Sequence, residues 1–157
     1  MTDVVTLLAA RGLTIAVAES LTGGLLVAEL IRTPGASAVV NGGVVAYNTA
    51  LKHSVLGVDA ELLAEHGAVH PRVAEQMAEG VRSALAVGGR PADIGISTTG
   101  VAGPEPQDGR PVGTVYLGFA VGTRVTNVAL RLSGSRDGIR NAVVSESLKQ
   151  LTKLLET

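Results

Sequence analysis

The segment Ala18–Gly24 carries the residue types that could hold and attack a polarised substrate. It reads Ala-Glu-Ser-Leu-Thr-Gly-Gly and follows the short apolar run Leu13–Val17. Hydroxyls and uncrowded backbone N–H groups that lie between a strand and a helix can bind an anion or a carbonyl oxygen. Ser20 is therefore the first candidate nucleophile, although Ser, Thr and Gly before a helix also form an ordinary helix cap.

A serine nucleophile needs a base that removes its proton. Histidine is the usual base, but His53, His66 and His70 each stand in a polar turn or at a predicted helix end, where a polar or cationic group is ordinary. Lys52 is the alternative, and it follows Tyr47 closely enough for the two to share a pocket. A desolvated lysine has a lowered pKa, and Ser–Lys pairs are a known variant of the catalytic triad. The competing interpretation is a solvated Lys52 and a packed Tyr47 ring.

Two further segments could bind a ligand. In the segment Thr99–Pro104, Thr99 could donate its hydroxyl and Gly100 its backbone N–H, or the segment could be only a connector. Arg136 and Arg140 lie four residues apart near the last predicted helix, so they can share a face and clamp a phosphate or carboxylate. The alternative is a solvated first turn. Acidic residues are scattered and no histidine pair has ligand spacing, so we expect no metal and no cofactor.

Strands and helices alternate along most of the chain. Short apolar runs predict strands over 13–18, 38–47, 94–98, 115–121 and 125–132, the last two as a hairpin. Periodicity and caps predict helices over 4–11, 24–32, 48–56, 59–66, 71–85 and 139–155. This order predicts a mixed sheet with helices on both faces, which binds ligands at the carboxyl ends of its parallel strands. The segments 19–24 and 98–104 should therefore line one cleft.

Composition excludes several classes of function. The 157 residues contain 13 Lys and Arg against 14 Asp and Glu, with no basic run and only three aromatic residues, which argues against nucleic-acid binding. The chain has no cysteine and no apolar run of the roughly 20 residues that span a bilayer. Residues 1–8 have no basic region before an apolar stretch, unlike a signal peptide. We expect one domain over 1–157, located in the cytoplasm, with no membrane partner.

Taken together, these segments resemble the C-terminal domain family of the competence/damage-inducible protein CinA. Ala18–Gly24 is similar to the family's A-E-S-x-T-G-G, and Tyr47–Lys52 to its Y-x-x-x-x-K. The remaining similarities lie in the middle helix (67–78), the loop 99–104, the strand 111–115 and the final motif with Gly134, Arg136 and Arg140. Six motifs in the family's order form a specific signal. The sequence departs from the family at 105–110, where the family loop is richer in glycine.

The resemblance implies an α/β fold, a three-layer α/β/α sandwich with a mixed, largely parallel sheet. Stand-alone members are nicotinamide-nucleotide amidases, which hydrolyse the carboxamide of nicotinamide mononucleotide to nicotinate mononucleotide and ammonia. The implied catalytic residues are Ser20 as nucleophile, with Lys52 and Tyr47 handling its proton. The implied substrate-binding residues are Thr22, Gly23, Gly24, Thr99, Gly100, Gly103 and Arg140.

The expected partner is a small-molecule pyridine nucleotide, and we also expect a homo-oligomer. Two alternatives remain open at this point. One is a non-catalytic pyridine-nucleotide-binding or regulatory module that uses the same cleft. The other is a structural partner domain, since many members of the family are fused to a further domain.

Overall fold

Five strands form one mixed sheet in the computed structural model, which describes residues 3–157. The strands are β1 (Ile15–Glu19), β2 (Val40–Val45), β3 (Ile94–Gly100), β4 (Thr114–Val121) and β5 (Arg124–Arg131), in the order β2-β1-β3-β4-β5. β1 pairs in parallel with β2 and β3, whereas β4 runs antiparallel to both β3 and β5. Four strands therefore share one direction, as the predicted mixed, largely parallel sheet requires.

Helices cover both faces of this sheet. They are α1 (Val4–Arg11), α2 (Leu25–Ile31), α3 (Thr49–Ser54), α4 (Ala60–His66), α5 (Pro71–Ala84) and α6 (Arg136–Glu156). α1, α2 and α6 share a buried apolar cluster with one face, in which Phe119, the chain's only phenylalanine, is surrounded by aliphatic side chains. α4 and α5 share a second cluster with the other face. The predicted three-layer α/β/α sandwich is confirmed.

α5 lies so close to the sheet that two strand positions have no room for a side chain. A Cβ at Gly95 would come within 1.8 Å of the Ala78 carbonyl oxygen, and one at Gly118 within 2.0 Å of the Ala74 carbonyl oxygen. The Ser97 hydroxyl donates to that same Ala74 oxygen at 2.5 Å. Glycine at these positions lets the helix backbone rest on β3 and β4, which fixes the strand that leads into the candidate cleft.

Several element boundaries differ from the predicted ones, and the differences at β2 and α6 have a visible cause. The predicted strand 38–47 is shorter, because residues Ala36–Ala38 form a 3-10 helix and the strand runs only over Val40–Val45. The last helix begins at Arg136 rather than at 139, because the Ser135 hydroxyl accepts from the Gly138 N–H at 3.0 Å and caps the helix there. Serine is a common helix-capping residue. The first turn of α6 is polar, however, and lacks the apolar periodicity that marks the rest of the helix.

Met1 and Thr2, the first residues of the segment compared with a signal peptide, lie outside the described residues. Within residues 3–157, no helix has both the length and the apolar character that crossing a membrane would need.

Candidate active site

The candidate cleft is built at the carboxyl ends of β1 and β3, which are parallel neighbours in the sheet. Ser20 follows the last residue of β1, and its N–H donates to the Thr98 carbonyl oxygen of β3 at 3.1 Å. This bond holds the start of the turn after β1 against the neighbouring strand. The predicted meeting of the segments 19–24 and 98–104 is therefore observed.

Lys52 contacts the hydroxyl of Ser20. Its Nζ lies 3.0 Å from Ser20 Oγ and donates to the Ala46 carbonyl oxygen at 2.7 Å. Lys52 is only 1% exposed and is among the largest fully buried residues of the part of the chain described. α3, which begins after the Asn48 cap, carries the amine into this position. The alternative of a solvated surface lysine is therefore wrong.

The environment of Lys52 makes its amine bind a proton less tightly than an ordinary lysine does. Burial lowers the pKa of its ammonium from 10.5 to about 8, while the Asp108 carboxylate acts in the opposite direction and raises it. With a pKa of about 8, roughly a tenth of the amine is neutral at pH 7. A neutral amine in contact with a serine hydroxyl can act as a general base.

The turn after Ser20 is held by buried polar groups. The Thr22 and Thr98 hydroxyls are hydrogen-bonded at 2.8 Å, and Thr22 is fully buried. Gly23 and Gly24 have φ of +57° and +106°, a left-handed region that glycine enters without strain. These residues shape the turn, and their backbone leads directly into α2. Within the part of the chain described, the N–H groups of Leu21 and Thr22 have no hydrogen-bond acceptor.

Glu19 supports the same turn and was not among the predicted site residues. Its carboxylate is fully buried and accepts from the N–H groups of Leu26 at 2.8 Å and Val27 at 3.1 Å. It thus caps the first turn of α2, where an anion is also favoured by the helix dipole. The signal available in the sequence was a lone acidic residue at the end of an otherwise apolar strand.

A cavity of about 340 Å³ opens beside Ser20. It is lined by Ser20, Leu21, Tyr47, residues 100–107 and Arg136. Tyr47 is 62% exposed at its edge, and its hydroxyl accepts from Arg136 Nη2 at 3.2 Å rather than bonding to Ser20 or Lys52. Arg136 Nη1 also donates to the Gly103 carbonyl oxygen. Arg136 therefore connects two walls of the cavity.

The predicted substrate-binding residues divide into those that line the cavity and those that do not, and Thr22, Gly23 and Gly24 belong to the second group. Gly100 and Gly103 line the cavity. Thr99 does not, because its hydroxyl is buried and donates to the Ala68 carbonyl oxygen at 2.8 Å. Arg140 is also absent from the lining, since its Nε donates to the Leu21 carbonyl oxygen at 2.8 Å. The arginine that lines the cavity is Arg136. The four-residue spacing predicted that Arg136 and Arg140 share a helix face, but it did not indicate which of the two lies in the cavity.

The histidines have structural partners. His70 caps α5 through Nδ1, which accepts from the Arg72 N–H at 3.1 Å, and His53 Nδ1 lies 2.8 Å from the Val58 carbonyl oxygen. His66 Nε2 lies 3.8 Å from Glu65 Oε1. Among residues 3–157, no three His, Asp or Glu side chains are grouped so that they could hold a metal ion.

Comparison with known proteins identifies similar domains over nearly the whole chain. The family described as "CinA C-terminal domain" matches residues 1–155. A CinA-like protein of Frankia casuarinae is 48% identical over 149 residues, 95% of this chain and 33% of that protein. One of Anaeromyxobacter dehalogenans is 48% identical over 151 residues, 94% and 35% respectively. The chain thus spans about a third of the length of these relatives.

Solved structures match the fold equally well. A CinA superfamily protein from Klebsiella pneumoniae superposes with a TM-score of 0.89 at 34% identity, covering 96% of this chain and 92% of that one. The competence/damage inducible protein CihA from Agrobacterium tumefaciens also gives 0.89 at 34% identity, covering 98% and 92%.

Proposed function

This chain belongs to the CinA C-terminal domain family, and on that premise we propose that it is an amidohydrolase that cleaves the carboxamide of nicotinamide mononucleotide. The products are nicotinate mononucleotide and ammonia. The observation that carries the proposal is the 3.0 Å contact between Lys52 Nζ and Ser20 Oγ at the edge of a cavity. A buried amine beside a serine hydroxyl is the arrangement that activates such a nucleophile.

The reaction begins with proton transfer from Ser20 to neutral Lys52. As Oγ attacks the carboxamide carbon, its proton moves to Nζ, and the Ala46 carbonyl oxygen, 2.7 Å from Nζ, stabilises the ammonium that forms. The N–H group of Leu21, which lines the cavity and has no other acceptor within residues 3–157, is the candidate donor to the oxyanion. One such donor contributes about a hundredfold or more in rate.

The same amine completes the turnover. The Lys52 ammonium returns its proton to the departing nitrogen, so that the C–N bond breaks, ammonia leaves and an ester to Ser20 remains. Neutral Lys52 then takes a proton from water as the water oxygen attacks this ester. The carbon–Oγ bond breaks, the proton passes back to Ser20, and the nicotinate product is released. Tyr47 makes no hydrogen bond to either residue and is assigned to the cavity wall.

Arg136 is the group we assign to the anionic part of the substrate. Its guanidinium lines the cavity and donates to two uncharged acceptors, Tyr47 and Gly103. None of the ion pairs within residues 3–157 includes it. It also forms the first residue of α6, where the helix dipole favours an anion. A phosphate would find both charge and a two-pronged donor there.

The test is ammonia release from nicotinamide mononucleotide by the purified chain and its variants. Ser20→Ala and Lys52→Met should each lower kcat by about a thousandfold or more, as removal of a nucleophile or base does. Lys149→Met removes an exposed lysine of α6 and should keep full activity. With nicotinamide riboside, which lacks the phosphate, Arg136→Gln should leave KM unchanged while raising it for the mononucleotide.

Full activity in Ser20→Ala or Lys52→Met would exclude this mechanism. Binding of the mononucleotide in calorimetry without any ammonia release from the wild type would instead favour the non-catalytic nucleotide-binding module. Absence of binding as well would favour the structural partner domain.

A further inference from the structure

One wall of the candidate cavity is an exposed loop with few attachments to the rest of the chain. Residues 104–107 line the cavity, and all of them are exposed. Pro104 and Pro106 have a fixed φ, which limits the conformations open to this segment. The next residues, 107–110, form a two-residue hairpin closed by backbone hydrogen bonds of 3.1 and 2.8 Å. The position of the wall therefore depends on what holds its two ends.

The wall is attached at each end through one side chain. At its beginning, Arg136 Nη1 donates to the Gly103 carbonyl oxygen. At its end, Asp108 Oδ2 accepts from the Ala68 N–H at 3.2 Å. Within residues 3–157, this is the only hydrogen bond that connects residues 104–110 with another part of the chain. The end of the wall thus depends on a single carboxylate.

The Asp108 side chain packs closely against the connection between α4 and α5. A Cβ at Gly67 would lie 2.5 Å from Asp108 Cγ, so a side chain at position 67 would displace the carboxylate. Ala68 is fixed from its other side, because its carbonyl oxygen accepts from the Thr99 hydroxyl of β3 at 2.8 Å. The carboxylate is therefore bonded to backbone that the sheet itself holds in place.

The hairpin turn alone does not require an aspartate at position 108. Asp108 and Gly109 have φ of +50° and +73°, the left-handed conformation of a type I′ turn. Glycine and asparagine are as common as aspartate in such turns. The Asp108 carboxylate makes no hydrogen bond within the hairpin and no ion pair among the described residues. Its one hydrogen bond is to Ala68, outside the turn.

We propose that Asp108 is a positioning residue, whose carboxylate holds the 104–107 wall in the position that binds the substrate. The wall begins at Arg136, and it ends near enough to Lys52 for the Asp108 charge to raise the pKa of that ammonium. It therefore flanks the ribose and the pyridine ring, between the phosphate and the carboxamide. The identity of the substrate rests on the proposed function, whereas the attachment of the wall does not.

Three substitutions of Asp108 separate the hydrogen bond from the charge. Asp108→Asn removes the charge but keeps an oxygen that can accept from the Ala68 N–H. Asp108→Gly removes both, and glycine adopts the left-handed turn without strain. Asp108→Ala also removes both, without the added flexibility of glycine, so the two truncations check each other. Glu79→Ala removes an exposed carboxylate of α5 and is the control.

The kinetic measurement is KM for nicotinamide mononucleotide at pH 9, where Lys52, with a pKa of about 8, is largely neutral. Asp108→Gly and Asp108→Ala should each raise KM by about tenfold, the usual effect of losing a hydrogen bond to a charged group, and change kcat by less than about twofold. Asp108→Asn and Glu79→Ala should keep the KM of the wild type. The pH midpoint of kcat/KM should fall in all three Asp108 variants, because each lacks the charge.

Hydrogen exchange tests the attachment without any turnover. The Ala68 amide should exchange about tenfold faster in both truncations than in the wild type, and at nearly the wild-type rate in Asp108→Asn. A wild-type KM in either truncation would overturn the proposal, as would a KM in Asp108→Asn as high as theirs. If the wild type releases no ammonia, the proposed function fails, and the exchange rates alone decide the attachment. Unchanged Ala68 exchange in the truncations would then overturn it.

Discussion

Lys52 is a buried amine whose direct hydrogen-bond partners are a serine hydroxyl and a carbonyl oxygen. No carboxylate within residues 3–157 forms an ion pair with it, and burial therefore lowers the pKa of its ammonium to about 8. Asp108 raises the same pKa from a distance, and its carboxylate is itself held by the Ala68 N–H at 3.2 Å. The loop 103–110 thus carries a charge that keeps the base from becoming still weaker.

The activity should follow the deprotonation of Lys52. If the neutral amine is the base, kcat/KM rises with pH through a midpoint near 8, falls about tenfold per pH unit below 7 and levels off above about pH 9. Removing the Asp108 charge removes an influence that raises the pKa, so Asp108→Asn should move the midpoint to lower pH. A pH-rate profile of both proteins checks this, and a rate that declines as pH rises from 7 to 9 would contradict the assignment.

At the scale of the elements, Glu19 connects the end of β1 with the beginning of α2. Both carboxylate oxygens are used by N–H groups of α2, so the turn that carries Ser20 is fixed at its two ends. A hydrogen bond to a buried charged group contributes about 1.5–3 kcal/mol. The position of the nucleophile therefore depends on a residue that does not touch the cavity.

Glu19→Gln should destabilise the fold by about 2 kcal/mol, because an amide offers only one acceptor to two N–H groups and places its own donors against them. Urea unfolding followed by circular dichroism measures the change. Glu79→Gln, at an exposed position of α5, is the control and should remain within about 0.5 kcal/mol of the wild type. Equal stability of the two variants would remove the structural role assigned to Glu19.

Element types were predictable from the sequence because periodicity, caps and turn residues are local. α5 was predicted over 71–85 and is found over Pro71–Ala84, with Pro71 at its first position and His70 as its cap. The pairing of Ser20 with Lys52 followed from the resemblance, because the residues alone left a solvated Lys52 as the alternative. The choice between Arg136 and Arg140 did not, because both share a helix face and only the packing of α6 against the cleft separates them. The 3-10 helix over Ala36–Ala38 likewise left no periodic signal.

At the scale of the whole molecule, the buried ammonium reduces the stability of the fold. The folded pKa of Lys52 is lower than the unfolded one, so the unfolded chain binds more protons between pH 8 and 10.5. The penalty is therefore full below pH 8 and disappears as the pH rises towards 10.5. A functional group that costs stability is typical of an active site rather than of a structural lysine.

Lys52→Met removes this pH dependence. The stability of the wild type relative to the variant should increase by about 1 kcal/mol between pH 7 and pH 9, because the unfolded lysine keeps its proton over that range while the folded one releases it. Chemical denaturation of both proteins at each pH measures the difference. Lys149→Met, which alters an exposed lysine, should show no such trend. A difference that stays constant from pH 7 to 9 would mean that Lys52 titrates normally.

The guanidinium of Arg136 is hydrogen-bonded to both Tyr47 and Gly103, two residues of the cavity wall. The same N–H groups cannot serve the walls and an incoming phosphate fully at once. If the proposed phosphate binds to Arg136, it replaces a hydrogen bond to Tyr47 or to Gly103, and that hydrogen bond forms again when the ligand leaves. Ligand binding at Arg136, the first residue of α6, would thereby change how Tyr47 is held against the loop after β3.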